Sequence, residues 1–256
     1  MEIRILGAHN LESMSSRLVS ILIDGVLALD AGSLSSGLSL AEQGRLEAIL
    51  LSHQHYDHLK DLPTLGLACM GLGTKAIYAP APVLEELRGH LFNGRLYPDF
   101  TAKPSPEKPA FRLFPVEPRQ PLDIQGYRVT AFPISHTPSS VAYEVRAPGG
   151  PSLLYTGDTG PGLASLWGEV SPRLLITELT GPDSWEETML EGGHLTPKHL
   201  KAELSGFRKL KGYLPQVVLV HMNPTLEHEI GDQVREMARE LGASLELARE
   251  GMRLEL

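Results

Sequence analysis

The residues with the clearest capacity for chemistry are four metal-ligating side chains within six positions: His53, His55, Asp57 and His58. Three imidazoles and a carboxylate this close together are costly to desolvate, and a bound metal is the simplest way to hold them in one place. Their spacing is too tight for a single tetrahedral site, so it predicts two neighbouring metal ions that divide the ligands. A solvated polar loop is the alternative, but it does not account for four ligating residues in this order.

Two metal ions need further ligands and a group that bridges them, and three more candidates occur where apolar, strand-like runs end. They are His136 after 131–135, Asp158 after 152–157 and His221 after 216–220. The first four ligands likewise follow the apolar run 46–52. A lone histidine at a strand end is more often a hydrogen-bonded structural residue. Four ligand-bearing strand ends in one chain instead predict a common metal centre.

The order and types of these seven residues resemble those of the metallo-β-lactamase superfamily. The resemblance implies an α/β (α+β) fold, namely a four-layer αββα sandwich with two divalent metal ions at one edge. It implies that the first ion is bound by His53, His55 and His136, the second by Asp57, His58 and His221, and that Asp158 bridges them with a hydroxide. Zinc suits these ligands best, and manganese and iron are the alternatives.

An acidic residue and a histidine further along the chain form a second group. Glu178 ends the apolar run 174–177, and His194 lies just before a helix predicted to begin at Thr196 and Pro197. His194 therefore lies at a helix N-terminus, where anions are favoured. An acid at a strand end and a histidine at this position could act as a pair beside the metal ions. Because Gly-Gly-His also suits a tight turn, a purely structural role for His194 is the alternative.

The segment from Gly193 to Pro197, Gly-His-Leu-Thr-Pro, resembles one in the class II cyclic-nucleotide phosphodiesterases of this superfamily. RNase Z enzymes carry a similar acid–histidine pair. The resemblance implies a binuclear metal-dependent hydrolase, a phosphodiesterase that acts on a cyclic nucleotide or another small phosphodiester. A metal-bridging hydroxide would be the nucleophile and His194 the general acid. Glu178 would orient His194, and Asp57 would serve catalysis as well as metal binding.

Two alternatives share the same fold. A thioesterase or lactonase would keep the metal ligands but would not need an acid–histidine pair. An RNase Z-like tRNA 3′ endonuclease would need a basic arm, and the proline-rich segment 93–109 has only three Lys or Arg residues. From other classes, a diiron electron-transfer protein would need a flavin domain that 256 residues cannot hold. A non-catalytic binding module would be expected to have lost ligands.

The composition is consistent with a metal-dependent enzyme that acts on small molecules. A chain of 256 residues that is 42% hydrophobic predicts a single domain over 1–256, with an insertion at about 93–109. The net charge of −8 disfavours nucleic-acid partners, whereas bound metal ions would attract a small anionic substrate. No apolar stretch approaches the ~20 residues that span a bilayer, so we expect a cytoplasmic protein without membrane contact. The chain could form a homo-oligomer.

The single cysteine and the pattern of elements complete these expectations. Cys69 lies among apolar residues, which predicts a buried small side chain and a reducing compartment. Predicted strands cover 2–6, 18–24, 26–30 and 75–79, and predicted helices cover 62–70, 83–91, 196–210 and 225–241. The insertion is interpreted as a surface excursion, with a lid over the metal ions as the alternative. His9 is a candidate for substrate contact, whereas His90, His199 and His228 are expected to be solvated.

Overall fold

The computed structural model describes residues 1–256, which form two seven-stranded mixed β-sheets. In spatial order the first sheet contains β14 (Arg253–Glu255), β1 (Glu2–Gly7), β2 (Ser20–Ile23), β3 (Leu27–Leu29), β4 (Ala48–Leu50), β5 (Lys75–Ala79) and β6 (Phe111–Pro115). The second contains β13 (Leu245–Leu247), β12 (Gln216–Val220), β11 (Leu174–Glu178), β10 (Ser152–Tyr155), β9 (Val141–Arg146), β8 (Tyr127–Pro133) and β7 (Leu122–Ile124).

Eight α-helices accompany the sheets. They are α1 (Leu34–Gly37), α2 (Leu40–Arg45), α3 (Leu62–Leu72), α4 (Ala81–Glu86), α5 (Ala164–Glu169), α6 (Glu186–Glu191), α7 (Pro197–Lys211) and α8 (Glu227–Leu241). Short 3₁₀ turns cover Tyr56–His58 and Asp183–Trp185, and a π turn covers Leu87–Leu91. No helix has both the length and the apolar character needed to cross a membrane.

Strand side chains alternate between two apolar layers, as the two-residue period of a β-strand requires. Ile3 and Ile5 of β1 belong to a cluster of 46 buried residues that draws on both sheets and on helices α5, α7 and α8. Leu6 of β1 belongs to a second cluster of 22 buried residues, to which α1, α3 and α4 contribute. The layers are therefore helix, sheet, sheet, helix, and the expected αββα sandwich is confirmed. Because one cluster joins both sheets, we propose that residues 1–256 form a single domain.

The direction of the strands determines where the loops emerge. Strands β3 to β6 run parallel to one another in the first sheet, and β10 to β13 do so in the second. The carboxyl ends of parallel strands emerge at one edge of their sheet, where ligands of open α/β sheets are usually bound. The segments that follow β4, β10, β11 and β12 contain most of the predicted site residues.

Local sequence signals explain the helix boundaries that differ from prediction. The helix predicted over 83–91 begins at Ala81 because proline is tolerated in the first helical turn, where its missing N–H is not needed. Helix α2 was not predicted. Its N-terminus carries a capping box in which the Ser39 side chain accepts from the Glu42 backbone and the Glu42 side chain accepts from the Ser39 backbone.

The proline-rich insertion at 93–109 is packed against the helical layer of the first sheet. Phe100 is fully buried, with its ring centroid 5.7 Å from that of Phe92 and 5.8 Å from that of Phe111. A Cβ atom at Gly66 of α3 would lie 2.7 Å from the Phe100 ring, so this close approach requires glycine. The insertion is therefore anchored by Phe100, and its use as a lid stays a prediction.

Candidate metal centre

All seven predicted metal ligands lie at one edge of the sandwich. The first four follow β4, and the 3₁₀ turn over Tyr56–His58 directs Asp57 and His58 towards the same centre as His53. His136 follows β8, Asp158 follows β10 and His221 follows β12. The first sheet thus supplies four of the seven candidate ligands and the second sheet three.

These ligands form two groups that share one carboxylate. In each group the ligating atoms all lie within 4.8 Å of one another, and the groups are His53, His55, His136 and Asp158, then Asp57, His58, His221 and Asp158. In the first, Asp158 Oδ2 lies 3.7 Å from His53 Nε2 and 3.8 Å from His136 Nε2. In the second, Asp158 Oδ1 lies 3.2 Å from His58 Nε2. The grouping matches the division that the resemblance implies, with Asp158 between the two sets.

Several buried atoms at the centre make no hydrogen bond, although His58 Nε2 and Asp158 Oδ1 lie 3.2 Å apart. His53 Nε2, His58 Nε2 and Asp158 Oδ1 are inaccessible to solvent and make no hydrogen bond. Leaving such polar atoms unpaired is costly. Metal ions bound in the two ligand groups would satisfy all three atoms. Burial lowers the pKa of His53, His55 and His136, which favours the neutral imidazole that binds metals. The donors present therefore fit divalent metal ions.

The second ring nitrogen of each buried histidine is held by a neighbouring group. His53 Nδ1 lies 2.9 Å from Ser52 Oγ, and His58 Nδ1 lies 2.7 Å from Asp30 Oδ2. His136 Nδ1 lies 3.0 Å from the Gly193 carbonyl, and His221 Nδ1 lies 2.8 Å from Thr180 Oγ1. Such contacts select the tautomer in which Nε2 keeps its lone pair for a metal. His55 differs: its Nδ1 faces the centre, 3.1 Å from His136 Nε2.

Asp30 is a candidate positioning residue that the sequence analysis missed. Its side chain is fully buried and accepts from Ser52 N at 2.7 Å, Ser52 Oγ at 2.7 Å and Tyr155 Oη at 2.6 Å, in addition to His58. Since the Ser52 hydroxyl donates to Asp30, it can accept from His53. Asp30 therefore orients a ligand of each group. Its available signal was an acid at the end of the apolar run 26–29, the same pattern that identified Glu178.

The carboxylates around His58 make this centre favourable for positive charge. Burial lowers the pKa of His58, but the Asp158 and Asp30 carboxylates offset that effect and raise its pKa well above the usual range. Asp57 shows the opposite balance. Burial raises the pKa of Asp57, but His221 and His58 lower it by more. The net effect is a lowered pKa, so the carboxylate stays ionised. Metal ions bound at the centre would balance the carboxylate charge that a protonated His58 balances when no metal is bound.

Glu178 and His194 form the predicted pair beside the ligands. His194 Nδ1 lies 2.8 Å from Glu178 Oε1, and Glu178 is fully buried. The Glu178 carboxylate also accepts hydrogen bonds from Thr159 N, Thr180 N and Thr180 Oγ1, at 3.1, 3.0 and 2.8 Å. Burial lowers the pKa of His194, but the Glu178 carboxylate outweighs it and raises the pKa to about 9.

The Glu178–His194 pair lies next to both ligand groups. The His194 ring centroid lies 5.0 Å from that of His136 and 5.3 Å from that of His221. Ligating atoms of Glu178, His194 and His221 also lie within 4.8 Å of one another. His194 keeps 17% of its side chain exposed and its Nε2 makes no hydrogen bond, so this nitrogen is available to a bound molecule.

The remaining histidines have other surroundings. His9 is buried, with Nδ1 2.7 Å from Glu250 Oε1 and Nε2 3.3 Å from Glu227 Oε2, so neither nitrogen is free for substrate. His90 and His228 are exposed, as expected. His199 is not fully solvated: it is only 17% exposed, because Thr196 and Glu186 hold its two ring nitrogens. Cys69 is buried, which raises the pKa of its thiol to about 11.

Residues 20–222 match the sequence model of the family described as the beta-lactamase superfamily domain, and the chain belongs to this superfamily. The expected enzyme class, a metal-dependent hydrolase, is confirmed. A relative from Yersinia pestis, named a probable 3′,5′-cyclic-nucleotide phosphodiesterase, is 28% identical over 257 aligned residues, which cover 82% of this chain and 73% of the relative.

Solved structures share the fold at lower identity. Unliganded yeast PDE1 has a TM-score of 0.83, and the metallo-β-lactamase fold protein YhfI from Bacillus subtilis has 0.77. The short form of human tRNase Z has 0.69. Each is 19% identical, and each comparison covers 100% of this chain and 99% of the other. At this identity the similarity demonstrates the αββα fold.

Proposed function

We propose that this protein is a binuclear metal-dependent phosphodiesterase that hydrolyses a cyclic nucleotide or another small phosphodiester. The observation that carries the proposal is the Glu178–His194 pair beside both ligand groups. Hydrolysis of an alkyl phosphodiester releases an alkoxide that needs a proton, whereas a thiolate leaves without one. The Yersinia pestis relative, named as a cyclic-nucleotide phosphodiesterase, supports the same substrate class.

Seven donors in two groups, with Asp158 common to both, support two metal ions. Zinc is the metal that suits imidazole and carboxylate donors best, and manganese and iron also use such sets. When bound, the metal ions would supply a water-derived nucleophile near neutral pH and neutralise charge on the non-bridging phosphate oxygens. His53, His55 and His136 would hold one ion, Asp57, His58 and His221 the other, and Asp158 both.

The roles of the remaining residues follow from their contacts. Glu178 engages His194 Nδ1, so His194 Nε2 can donate a proton to the leaving oxygen. Because the Glu178 carboxylate is buried, it also stabilises the protonated ring that does so. Asp57 has a 30% exposed side chain and stays ionised, so one of its oxygens can accept from the attacking water and orient it. Thr180 and Asp30 keep the ligating rings in position.

A substrate screen tests the proposal. Metal-loaded protein is assayed with 3′,5′-cyclic AMP, 3′,5′-cyclic GMP, bis(p-nitrophenyl) phosphate, an acyl thioester and a lactone. We expect phosphodiester turnover to exceed acyl turnover. A thioester or lactone rate well above every phosphodiester rate would overturn the phosphodiesterase assignment and favour the acyl-hydrolase alternative, while leaving the fold and ligand set unchanged.

A further inference from the structure

The structure contains a cleft of about 240 Å³ between loops that belong to both sheets. Its walls are three short segments: 80–82 after β5, 116–118 after β6, and Pro133 at the end of β8 with 138–141, which lead into β9. Since β4, β5 and β6 are parallel neighbours, the cleft opens at the same end of the first sheet as the metal loop that follows β4.

The cleft and the metal centre also share a loop. His136 lies in the β8–β9 connection that forms one wall of the cleft. This connection is fastened to the metal loop by two contacts: Val141 N donates to the Ser52 carbonyl at 3.0 Å, and Thr137 Oγ1 donates to Gln54 Oε1 at 3.3 Å. The β8–β9 connection therefore joins one wall of the cleft to the loop that carries the candidate ligands His53 and His55.

The chemistry of the walls indicates what would occupy the cleft. Five lining residues are prolines, which present rigid apolar rings and lose little conformational entropy on binding: Pro80, Pro82, Pro118, Pro133 and Pro138. A flat heteroaromatic ring can pack against such apolar surfaces. The charged residue of the lining is Glu117, whose side chain is exposed.

We propose that this cleft binds the base of a nucleotide substrate and that Glu117 favours guanine over adenine, an inference that rests on the proposed phosphodiesterase function. A carboxylate only accepts hydrogen bonds. The Watson–Crick edge of guanine presents two adjacent donors, N1–H and the N2 amino group, that match its two oxygens. Adenine presents a donor beside an acceptor, N1, which a carboxylate repels.

The first test fills the cleft with a larger side chain. Ala81 is exposed at the first position of α4, so Ala81→Phe adds a ring to the cleft without disturbing the core. We expect KM for cyclic GMP and cyclic AMP, and Kd for 5′-GMP, to rise about tenfold, with kcat on bis(p-nitrophenyl) phosphate at saturation unchanged because the metal centre stays intact. Ala41→Phe, at an exposed position of α2, is the control and should alter none of these constants.

The second test changes the hydrogen-bonding pattern of the wall. In Glu117→Gln the amide offers one acceptor and one donor, which suits adenine. We expect the ratio of kcat/KM for cyclic GMP over cyclic AMP to fall about tenfold. Glu85→Gln removes the same charge from an exposed position of α4 outside the cleft and should leave the ratio unchanged.

The outcomes separate the two proposals. If metal-loaded protein hydrolyses phosphodiesters but Ala81→Phe leaves KM and Kd unchanged, or lowers bis(p-nitrophenyl) phosphate turnover equally, the base-binding cleft is refuted and the phosphodiesterase function stands. An unchanged nucleotide ratio in Glu117→Gln refutes the role of Glu117. If the unmodified, metal-loaded protein hydrolyses no phosphodiester, the proposed function fails, and the cleft proposal fails with it.

Discussion

Thr180 illustrates how one hydroxyl can link two parts of the site. A hydroxyl has one proton, and donation of that proton to Glu178 Oε2 leaves Thr180 Oγ1 to accept from His221 Nδ1–H. The same residue thereby fixes the carboxylate of the proposed acid pair and the tautomer of a proposed ligand. Thr180 contacts neither reacting atoms nor metal directly, so we regard it as a positioning residue.

Substitution of His194 tests its proposed role as general acid. His194→Ala should retain both metal ions and the fold yet lose roughly 10²–10⁴-fold in kcat on cyclic nucleotides. The loss should be much smaller on bis(p-nitrophenyl) phosphate, since p-nitrophenolate departs without a proton. Glu178→Gln should act in the same direction but less strongly, because it misorients His194 without removing it. The measurements are kcat on both substrates and metal content by elemental analysis.

Two results would contradict this role of His194. Equal losses on good and poor leaving groups would indicate a binding or structural function. Loss of metal from His194→Ala would mean that His194 supports or supplies a ligand.

Substitution of Thr180 tests the positioning role. Thr180→Val keeps the buried volume but removes the acceptor for His221 Nδ1–H, so affinity for the second metal ion should fall about 10- to 100-fold. Stepwise metal titration followed by calorimetry measures this affinity. Thr130→Val in β8 removes a hydroxyl remote from the ligands and serves as the control. Equal affinities in the two variants would show that Thr180 does not orient His221.

At the scale of elements, the site depends on where strands end. Glu178 is the last residue of β11, and His221 follows β12 directly in a left-handed backbone conformation, with φ of 62°. Non-glycine residues rarely adopt this conformation unless their surroundings enforce it, and it often occurs at functional sites. The strands are regular and buried, so they hold these short terminal segments in register.

The capping box of α2 gives a prediction about an element away from the site. Ser39→Ala should lower the free energy of unfolding by about 1 kcal/mol at pH 7. Hydrogen bonds from Ser39, with support from Arg4, lower the pKa of Glu42 to about 2. Since the folded pKa is depressed, this stabilisation is present above the unfolded value near 4.5 and is lost as pH falls towards 2. The difference between variant and unmodified protein should shrink over that range.

Urea unfolding between pH 7 and pH 3 measures this effect. Ser244→Ala, which removes an exposed hydroxyl without a hydrogen bond, is the control. A Ser39→Ala effect that is independent of pH would separate the serine cap from the Glu42 contribution.

At the scale of the whole molecule, the proposed metal ions would join the two sheets. His53 follows a strand of the first sheet, whereas His136, Asp158 and His221 follow strands of the second. Binding to such a composite site stabilises only the folded state. We therefore expect chelation to lower Tm, by roughly 2–4 °C for each kcal/mol of binding free energy removed.

Metal content distinguishes the two groups of ligands. Elemental analysis of reconstituted protein should give two ions per chain, and Asp158→Ala should lose metal from both sites because it removes the shared ligand. His221→Ala should mainly empty the second site. A stoichiometry of one or less in the presence of excess metal would contradict the binuclear proposal, and an unchanged Tm after chelation would contradict the stabilising role.

The sequence by itself was sufficient to predict the αββα fold, the residues that form the two ligand groups and the Glu178–His194 pair. The candidate ligands and the pair depend on local signals, namely ligating side chains that directly follow apolar strands and Thr-Pro at the start of a helix. The fold and the division into two groups were implied by the resemblance of these motifs to the metallo-β-lactamase superfamily. Helix α2 also had such a signal, its Ser39–Glu42 capping box, but the short helix contributed too few periodic residues to be recognised.

Only the tertiary structure revealed the contacts that support the centre. Tyr155 lies 125 positions from Asp30 and Thr180 lies 41 from His221, yet each pair is hydrogen-bonded. Likewise, the proline-lined cleft combines three segments that are distant in the chain. Local propensity and periodicity report on neighbours within a few residues, whereas these partners are chosen by the packing of two sheets against each other. For that reason the candidate ligands could be predicted from the chain, and the groups that contact their second ring nitrogens could not.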